Sequence, residues 1–281
     1  MTIAYLNGSF LPLSEARVPA LDRGYLFGDG VYEVLPVYQG RPFRLDAHLQ
    51  RLETSLAGIL LSNPHPAGEW RKLLQQLIDL SGGGNLMLYL QVTRGAYPSR
   101  SHALPADPKP GVFAYCQALP AITEQIRREG VAAVTATDTR WQLCHIKSIA
   151  LLANVLLTHQ ASLQGCHEVL LHRGEEVTEG GSSNVFAVIE GQLVTPPKSH
   201  YILAGITRDV LLELAEKHAI PCAERPISLA QLRGAQEIWI TSSTRELYPV
   251  TRLDGKSVGD GRPGRLWQQM FEWFQPLKAS G

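Results

Sequence analysis

Apolar residues along the chain recur at spacings of two in some segments and of three or four in others, which predicts strands and helices mixed throughout. In IAYLNGSFLP, residues 3–12, two short runs flank Asn7-Gly8, a pair that accepts the positive φ angles of a type I′ turn and so predicts a hairpin. VYEVLPVYQGRPFRL repeats the device at Gln39-Gly40. Asp46 then offers an N-cap for an amphipathic helix that carries His48, Leu49, Leu52 and Leu56 on one face. EWRKLLQQLIDL reads as a further helix, stopped by the glycines of SGGG. NLMLYLQVTR and GVFAYCQAL are nearly continuous apolar runs and predict buried strands. Between them lies a polar segment from about 95 to 110 with four prolines, long enough to imply a functional loop.

LPAIT, residues 119–123, breaks this pattern at Pro120 and reads as a linker between an N-terminal α/β domain, 1–118, and a C-terminal one, 124–281. The second domain continues with the strand VAAVTA, a helix following Lys147, the strand EVLLH and the hairpin NVFAVIEGQLVTP. The helix TRDVLLELAEKH, the strand EIWITSS and a C-terminal amphipathic helix complete it. No internal repeat is visible. The glycines at 82–84 lack the downstream helix of a dinucleotide-binding fingerprint.

Composition narrows the function classes. The formal net charge is zero, which gives nucleic acid or an anionic membrane no electrostatic footing. No apolar run is long enough to span a bilayer and the first residues lack the pattern of a secretory signal, so a cytoplasmic protein is expected. The four cysteines, Cys116, Cys144, Cys166 and Cys222, show neither disulfide nor zinc spacing and read as reduced thiols.

Charged residues make up 19% of the chain, yet Lys147 is the only Asp, Glu, Lys or Arg between Arg140 and Glu168. It stands at the head of a predicted apolar helix. A surface lysine can occupy such a place by snorkelling, but a partly buried one is driven toward the neutral amine that attacks carbonyls. EVTEGGSSNVF puts Glu179 in a glycine- and serine-rich turn. LAGITRDVL puts Thr207 at the N-cap of a helix whose first N–H groups can bind an anion. ITSSTREL ends a strand in four hydroxyl residues, Thr241 to Thr244. Each feature alone is common in structural roles. Together they offer an amine for an aldehyde, a carboxylate for a ring nitrogen and an anchor for a phosphate.

The segments LDRGYLFGDGVYEVLPVY, RLDAHLQRL, RWQLCHIKSIALLANVLL, EVTEGGSSNVF, ILAGITRDV and WITSSTRELYPV follow one another as in the class IV pyridoxal-phosphate enzymes. The chain resembles that family from about residue 3 to residue 275, and within it the D-amino-acid aminotransferase branch. The resemblance implies a two-domain α/β (α+β) protein of fold type IV, with the C-terminal domain binding pyridoxal 5′-phosphate and the active site between the domains. It implies that Lys147 bonds the cofactor's aldehyde and moves the substrate proton, and that Glu179 partners the ring nitrogen. Arg51, Ile206, Thr207 and Ser243 would hold the phosphate, Tyr32 would lie beside the lysine and the substrate, and Arg140 would support the cofactor. It also implies a homodimer.

RGAYPSRSHALP supplies Arg100 and His102, which match the Arg-x-His pair that takes the substrate carboxylate in the D-amino-acid branch. The expected reaction is transamination between a D-amino acid such as D-alanine and a 2-oxo acid such as 2-oxoglutarate or pyruvate. Two departures stand out: the Gly95 to Arg100 interval is one residue longer than the family pattern, and Gly181 replaces a serine, which implies a wider pocket near the ring. Aminodeoxychorismate lyase, releasing pyruvate and 4-aminobenzoate, shares the lysine and glutamate and is the alternative. Branched-chain aminotransferases and a cofactor-carrying regulatory module fit less of the pattern.

Overall fold

The computed structural model describes residues 2–280 and divides the chain into two compact units. The first comprises the chain to Leu119 together with Ile146–Leu151. Its elements are β1 (Ile3–Leu6), β2 (Ser9–Pro12), α1 (Arg23–Phe27), β3 (Gly30–Tyr38), β4 (Arg41–Pro42), α2 (Leu45–Gly58), α3 (Ala67–Leu80), β5 (Leu86–Thr93) and β6 (Gly111–Ala118). The strands form an antiparallel sheet in the order β2-β1-β6-β5-β3-β4. Both predicted hairpins are present: Asn7 and Gly8 have φ of 47° and 99°, and Gln39 and Gly40 of 52° and 77°.

Helices α2 and α3 cover one face of this sheet. On α3, Trp70, Leu74, Leu77 and Ile78 recur at helical spacing and are fully buried among Leu35, Leu88, Leu90 and Leu52. Each such side chain contributes roughly 1.5–3 kcal/mol of burial. The start of α2 differs from expectation. Its N-cap is Arg44, in the left-handed region at φ 54°, and Asp46 sits inside the first turn, where its charge favours the helix dipole.

Ile146–Leu151 belongs with the first unit, whereas the sequence pattern kept 124–281 together. The reason is packing: Ile146 enters the core of this unit and lies against Gly58, where a Cβ would come within 2.9 Å of it. The segment is extended, not the first turn of a helix. The Tyr32 N–H donates to the Lys147 carbonyl at 2.9 Å, and the Ile149 N–H to the Gly30 carbonyl at 3.1 Å.

The second unit, Pro120–His145 with Leu152–Ser280, contains α4 (Glu124–Glu129), β7 (Val131–Thr137), α5 (Leu152–Leu163), β8 (Glu168–Arg173), β9 (Glu176–Gly180), β10 (Asn184–Ile189) and β11 (Gln192–Thr195). It continues with α6 (Ile206–Lys217), β12 (Cys222–Glu224), α7 (Leu229–Arg233), β13 (Glu237–Ser242), β14 (Glu246–Leu253), β15 (Lys256–Ser257), α8 (Arg265–Phe274) and α9 (Leu277–Ser280). Its nine-stranded mixed sheet runs β12-β11-β10-β13-β14-β7-β8-β9, with β15 beside β14. Val185, Ala187, Ile238, Ile240 and Val250 fill the core on one face, and α6 packs on β13 from the other. All four cysteines are free thiols. Among the described residues, no helix is long and apolar enough to cross a membrane.

Candidate active site

In the first unit, Lys147 is half-buried and its Nζ stands 4.2 Å from the centroid of the Tyr32 ring. The extended pairing beside β3 brings them together. The Lys147 N–H donates to Ser55 Oγ at 3.2 Å, which ties the same segment to α2. A cation over an aromatic face is held at about 0.5–1 kcal/mol in exposed sites.

Glu33 follows Tyr32 on β3 and points toward α2, where His48 and Arg51 share a face at a spacing of three. Arg51 grips it as a fork, Nε to Oε1 and Nη2 to Oε2, both at 2.8 Å. His48 Nδ1 is also 2.8 Å from Oε2. Burial works to raise the Glu33 pKa, but the Arg51 charge and the three hydrogen bonds outweigh it and hold the carboxyl well below its usual range. Burial pushes the His48 pKa down despite its hydrogen bond to Glu33. Arg51, expected at the phosphate, is thus fixed in place by a carboxylate that the sequence pattern had not singled out.

Arg100 and His102 are exposed and meet at Phe27, the last residue of α1. The Arg100 guanidinium lies 4.9 Å from the Phe27 ring centroid, and the His102 ring 5.2 Å from it. Their loop is pinched at its base. Gly95, at φ 87°, passes so close to the Lys109 carbonyl that a Cβ would overlap it. Arg23 Nη1 holds the loop from inside by donating to the Ser101 carbonyl at 2.5 Å.

In the second unit, Glu179 lies on the end of β9 rather than in the turn after it, and is 4% exposed. Oε1 accepts from Arg140 Nη1 at 2.7 Å, and Oε2 accepts from the Leu203 N–H at 2.9 Å and Asn184 Nδ2 at 3.2 Å. Burial pushes the carboxyl up to about 7 even though Arg140 pulls it down. A buried acid poised near neutrality is a group whose charge state a bound cation can set. Arg140 is shared, since Asp138 Oδ1 and Oδ2 accept from its Nε at 2.9 Å and its Nη2 at 3.0 Å.

Asn184 joins this carboxylate to the other predicted features. Its Nδ2 also donates to the Leu203 carbonyl at 2.8 Å, and its Oδ1 fills the space a Cβ on Gly205 would need. Gly205, not Thr207, is the N-cap of α6, and no side chain caps it. Ile206 and Thr207 are therefore the first two helical residues, and their N–H groups lie among those with no intrahelical acceptor. Thr207 is buried there. Across the β10–β13 ladder, Thr241 pairs with Asn184 and so shares its face; its hydroxyl is buried with no protein partner. Ser243 and Thr244 are half-buried in the turn that follows. Gly181 does not open a pocket: a Cβ there would meet Val169, Glu168 and Thr158 at 2.8–3.1 Å, packed against β8 and α5.

The residues that sequence reading missed are Glu33, Asp138 and Asn184. A lone carboxylate inside the apolar strand VYEVLPVY, the Asp-x-Arg spacing at 138–140 and the asparagine ending the serine turn were the available signals.

Comparison with known proteins bears on this arrangement. Residues 30–253 match the family model for amino-transferase class IV. The chain is 40% identical over 270 residues to a D-alanine aminotransferase of Listeria monocytogenes, covering 96% of this chain and 93% of the relative. It is 38% identical over 275 residues to a D-alanine aminotransferase of Staphylococcus haemolyticus, covering 98% and 97%. Among solved structures, a PLP-bound hypothetical aminotransferase from Mycobacterium tuberculosis matches with a TM-score of 0.86 at 26% identity over 99% of both chains. A branched-chain amino acid aminotransferase from Escherichia coli matches in fold, with a TM-score of 0.90 at 22% identity over 98% of this chain and 93% of that one.

Proposed function

The chain belongs to the class IV aminotransferase family, and from that premise we propose that it moves an amino group between a D-amino acid such as D-alanine and a 2-oxo acid, using pyridoxal 5′-phosphate. The near-full-length likeness to D-alanine aminotransferases supports the reaction. The structural observation that carries it is the set around Asn184: a buried carboxylate poised near neutrality, a helix start with spare N–H groups and the unpartnered Thr241 hydroxyl. That donor set fits a ring nitrogen and a phosphate.

When bound, the cofactor supplies an aldehyde that takes up amines and a protonated ring that draws electrons from the adjoining carbon. The side chains do the rest. Lys147 would provide the amine that holds the aldehyde and would carry the proton to and from the substrate Cα. Tyr32 keeps that amine over its ring. Glu179 holds the proton on the ring nitrogen. Ile206, Thr207 and Ser243 donate to the phosphate, and Arg51, fixed by Glu33, neutralises it. Arg100, with His102, takes the substrate carboxylate, which selects the D-enantiomer by fixing which face of Cα meets the amine.

A homodimer is part of this proposal. Helix α5 turns Leu152, Val155, Leu156 and Leu163 outward, between 53% and 74% exposed, an apolar stripe that a second copy would cover. The zero net charge and the lack of a membrane-spanning helix among the described residues support a cytoplasmic enzyme.

The test is an incubation with pyridoxal phosphate, 2-oxoglutarate and either D- or L-alanine, followed by chiral analysis of the glutamate formed. D-Alanine should give pyruvate and D-glutamate. Turnover of L-alanine alone, or pyruvate release only from aminodeoxychorismate, would overturn the assignment.

A further inference from the structure

Asp138 directly follows β7, and its N–H still donates to the His172 carbonyl of β8 at 2.8 Å, so its backbone is fixed by the sheet. Its carboxylate is fully enclosed and accepts five hydrogen bonds. Oδ1 takes the Arg140 N–H at 3.1 Å and Nε at 2.9 Å; Oδ2 takes Arg140 Nη2 at 3.0 Å, Arg173 Nε at 3.1 Å and the Thr178 hydroxyl at 3.4 Å. The Nε–Nη2 edge of the Arg140 guanidinium is thereby taken by Asp138 as a fork. The remaining nitrogen, Nη1, is aimed at Glu179 Oε1.

The charges are arranged in series. Glu179 faces Arg140, Arg140 faces Asp138, and Asp138 also faces Arg173, whose side chain is 22% exposed and whose Nη2 donates to the Arg140 and Trp141 carbonyls. Without Asp138, the buried guanidinium would be uncancelled beside Glu179. The pair of Glu179 and Arg140 would then be neutral as a whole, and a protonated nitrogen brought against it would find no net negative charge. Asp138 takes three hydrogen bonds from Arg140 and one from the partly exposed Arg173, so it offsets chiefly Arg140 and leaves Glu179 charge for a further partner.

We propose that Asp138 is a positioning residue for the cofactor: it orients Arg140 by a bidentate grip on one edge and offsets its charge, so that Glu179 can keep a proton on the ring nitrogen. The proposal rests on the reading of Glu179 as the partner of that nitrogen. Asp138 itself touches no substrate. Its effect passes through Arg140, which distinguishes it from a residue that merely ties β7 to β8, because a tie would change stability and leave the ring nitrogen as it was.

The experiment loads wild type, Asp138→Asn, Arg140→Leu and the double variant with pyridoxal phosphate carrying ¹⁵N in the ring, and follows the nitrogen resonance through a pH titration. In Asp138→Asn the midpoint at which the ring proton leaves should fall by one pH unit or more, a weakening of about tenfold. The kcat for D-alanine should fall about tenfold or more, with KM changed by less than about threefold, as expected when an interaction with the reacting system rather than substrate binding is lost. The double variant should bring the midpoint back toward wild type, because the uncancelled cation has gone with the carboxylate. An unchanged midpoint in Asp138→Asn, or a double variant worse than the single one, overturns the proposal. Should Asp138→Asn not fold, Asp138→Ser decides by the same reading: a lowered midpoint supports the proposal and an unchanged one overturns it. A Glu179→Gln variant with an unchanged ring signal would instead overturn the underlying reading of Glu179.

Discussion

Glu33 in the first unit and Glu179 in the second are both enclosed carboxylates beside an arginine, and they titrate on opposite sides of the ordinary range. Burial raises both. The difference lies in what the arginine is free to give. Each carboxylate accepts three hydrogen bonds, but Arg51 gives Glu33 two parallel N–H donors, whereas Arg140 gives Glu179 one and spends two others on Asp138, whose own charge pushes Glu179 up. A buried acid is therefore locked as a structural anion by a bidentate guanidinium edge, and kept chemically available by a single N–H from a guanidinium shared with a second carboxylate.

The largest expected effect is on the locked side. Glu33→Gln leaves Arg51 and His48 enclosed without their anion and should lower the unfolding free energy of the cofactor-free protein by about 3–5 kcal/mol, measured by urea denaturation. A loss under about 1 kcal/mol would mean that the fork is not structural. Its pH dependence has a definite sign. The folded pKa of Glu33 is depressed, so its stability contribution is present above the ordinary value of about 4.5 and is lost as pH falls through the folded value.

Glu179 should show the reverse sign. Its folded pKa, about 7, exceeds its ordinary value, so its contribution is fully present below about 4.5 and lost as pH rises through 7. Between pH 5 and 8 this group should remove on the order of 3 kcal/mol from the cofactor-free protein. Glu179→Gln should abolish that component while lowering turnover of the loaded enzyme. If the variant and wild type lose equal stability over this interval, the contrast between the two carboxylates fails.

Arg100 extends the comparison to the surface, because among the described residues it forms no ion pair and rests on Phe27. Such an arginine is free for a substrate carboxylate. Arg100→Leu should lower kcat/KM for D-alanine by about two powers of ten, on the order of 3 kcal/mol, with cofactor absorbance unchanged. His102→Ala should lose less, and the two losses should not add, since both act on one ligand group.

The hairpins at Asn7-Gly8, Gln39-Gly40 and Glu190-Gly191 were legible in the sequence because positive φ leaves a strong local signature. The apolar stripe of α3 was legible for the same reason of local periodicity. The extended segment around Lys147 was not: its apolar residues suit a helix, and only the fit of Ile146 against Gly58 and the pairing with Gly30 and Tyr32 decide otherwise. Nor could Thr207 be told from the true cap, since Gly205 is selected by close contact with Asn184. The contacts that give the two carboxylate networks their meaning, Glu33 to His48 and Arg51 and Glu179 to Arg140, join residues 15 to 39 positions apart, a separation at which spacing carries no information.

The central claim is that Lys147 makes this chain a pyridoxal-phosphate aminotransferase acting on D-amino acids. The direct measurement is the visible absorbance of loaded wild type and Lys147→Ala during addition of D-alanine, L-alanine and then 2-oxoglutarate. Wild type should lose its visible band with D-alanine, keep it with L-alanine and regain it with the oxo acid, while Lys147→Ala should fold yet show neither the band nor turnover. A band and turnover that persist without Lys147, or a wild-type response to L-alanine alone, would contradict the account.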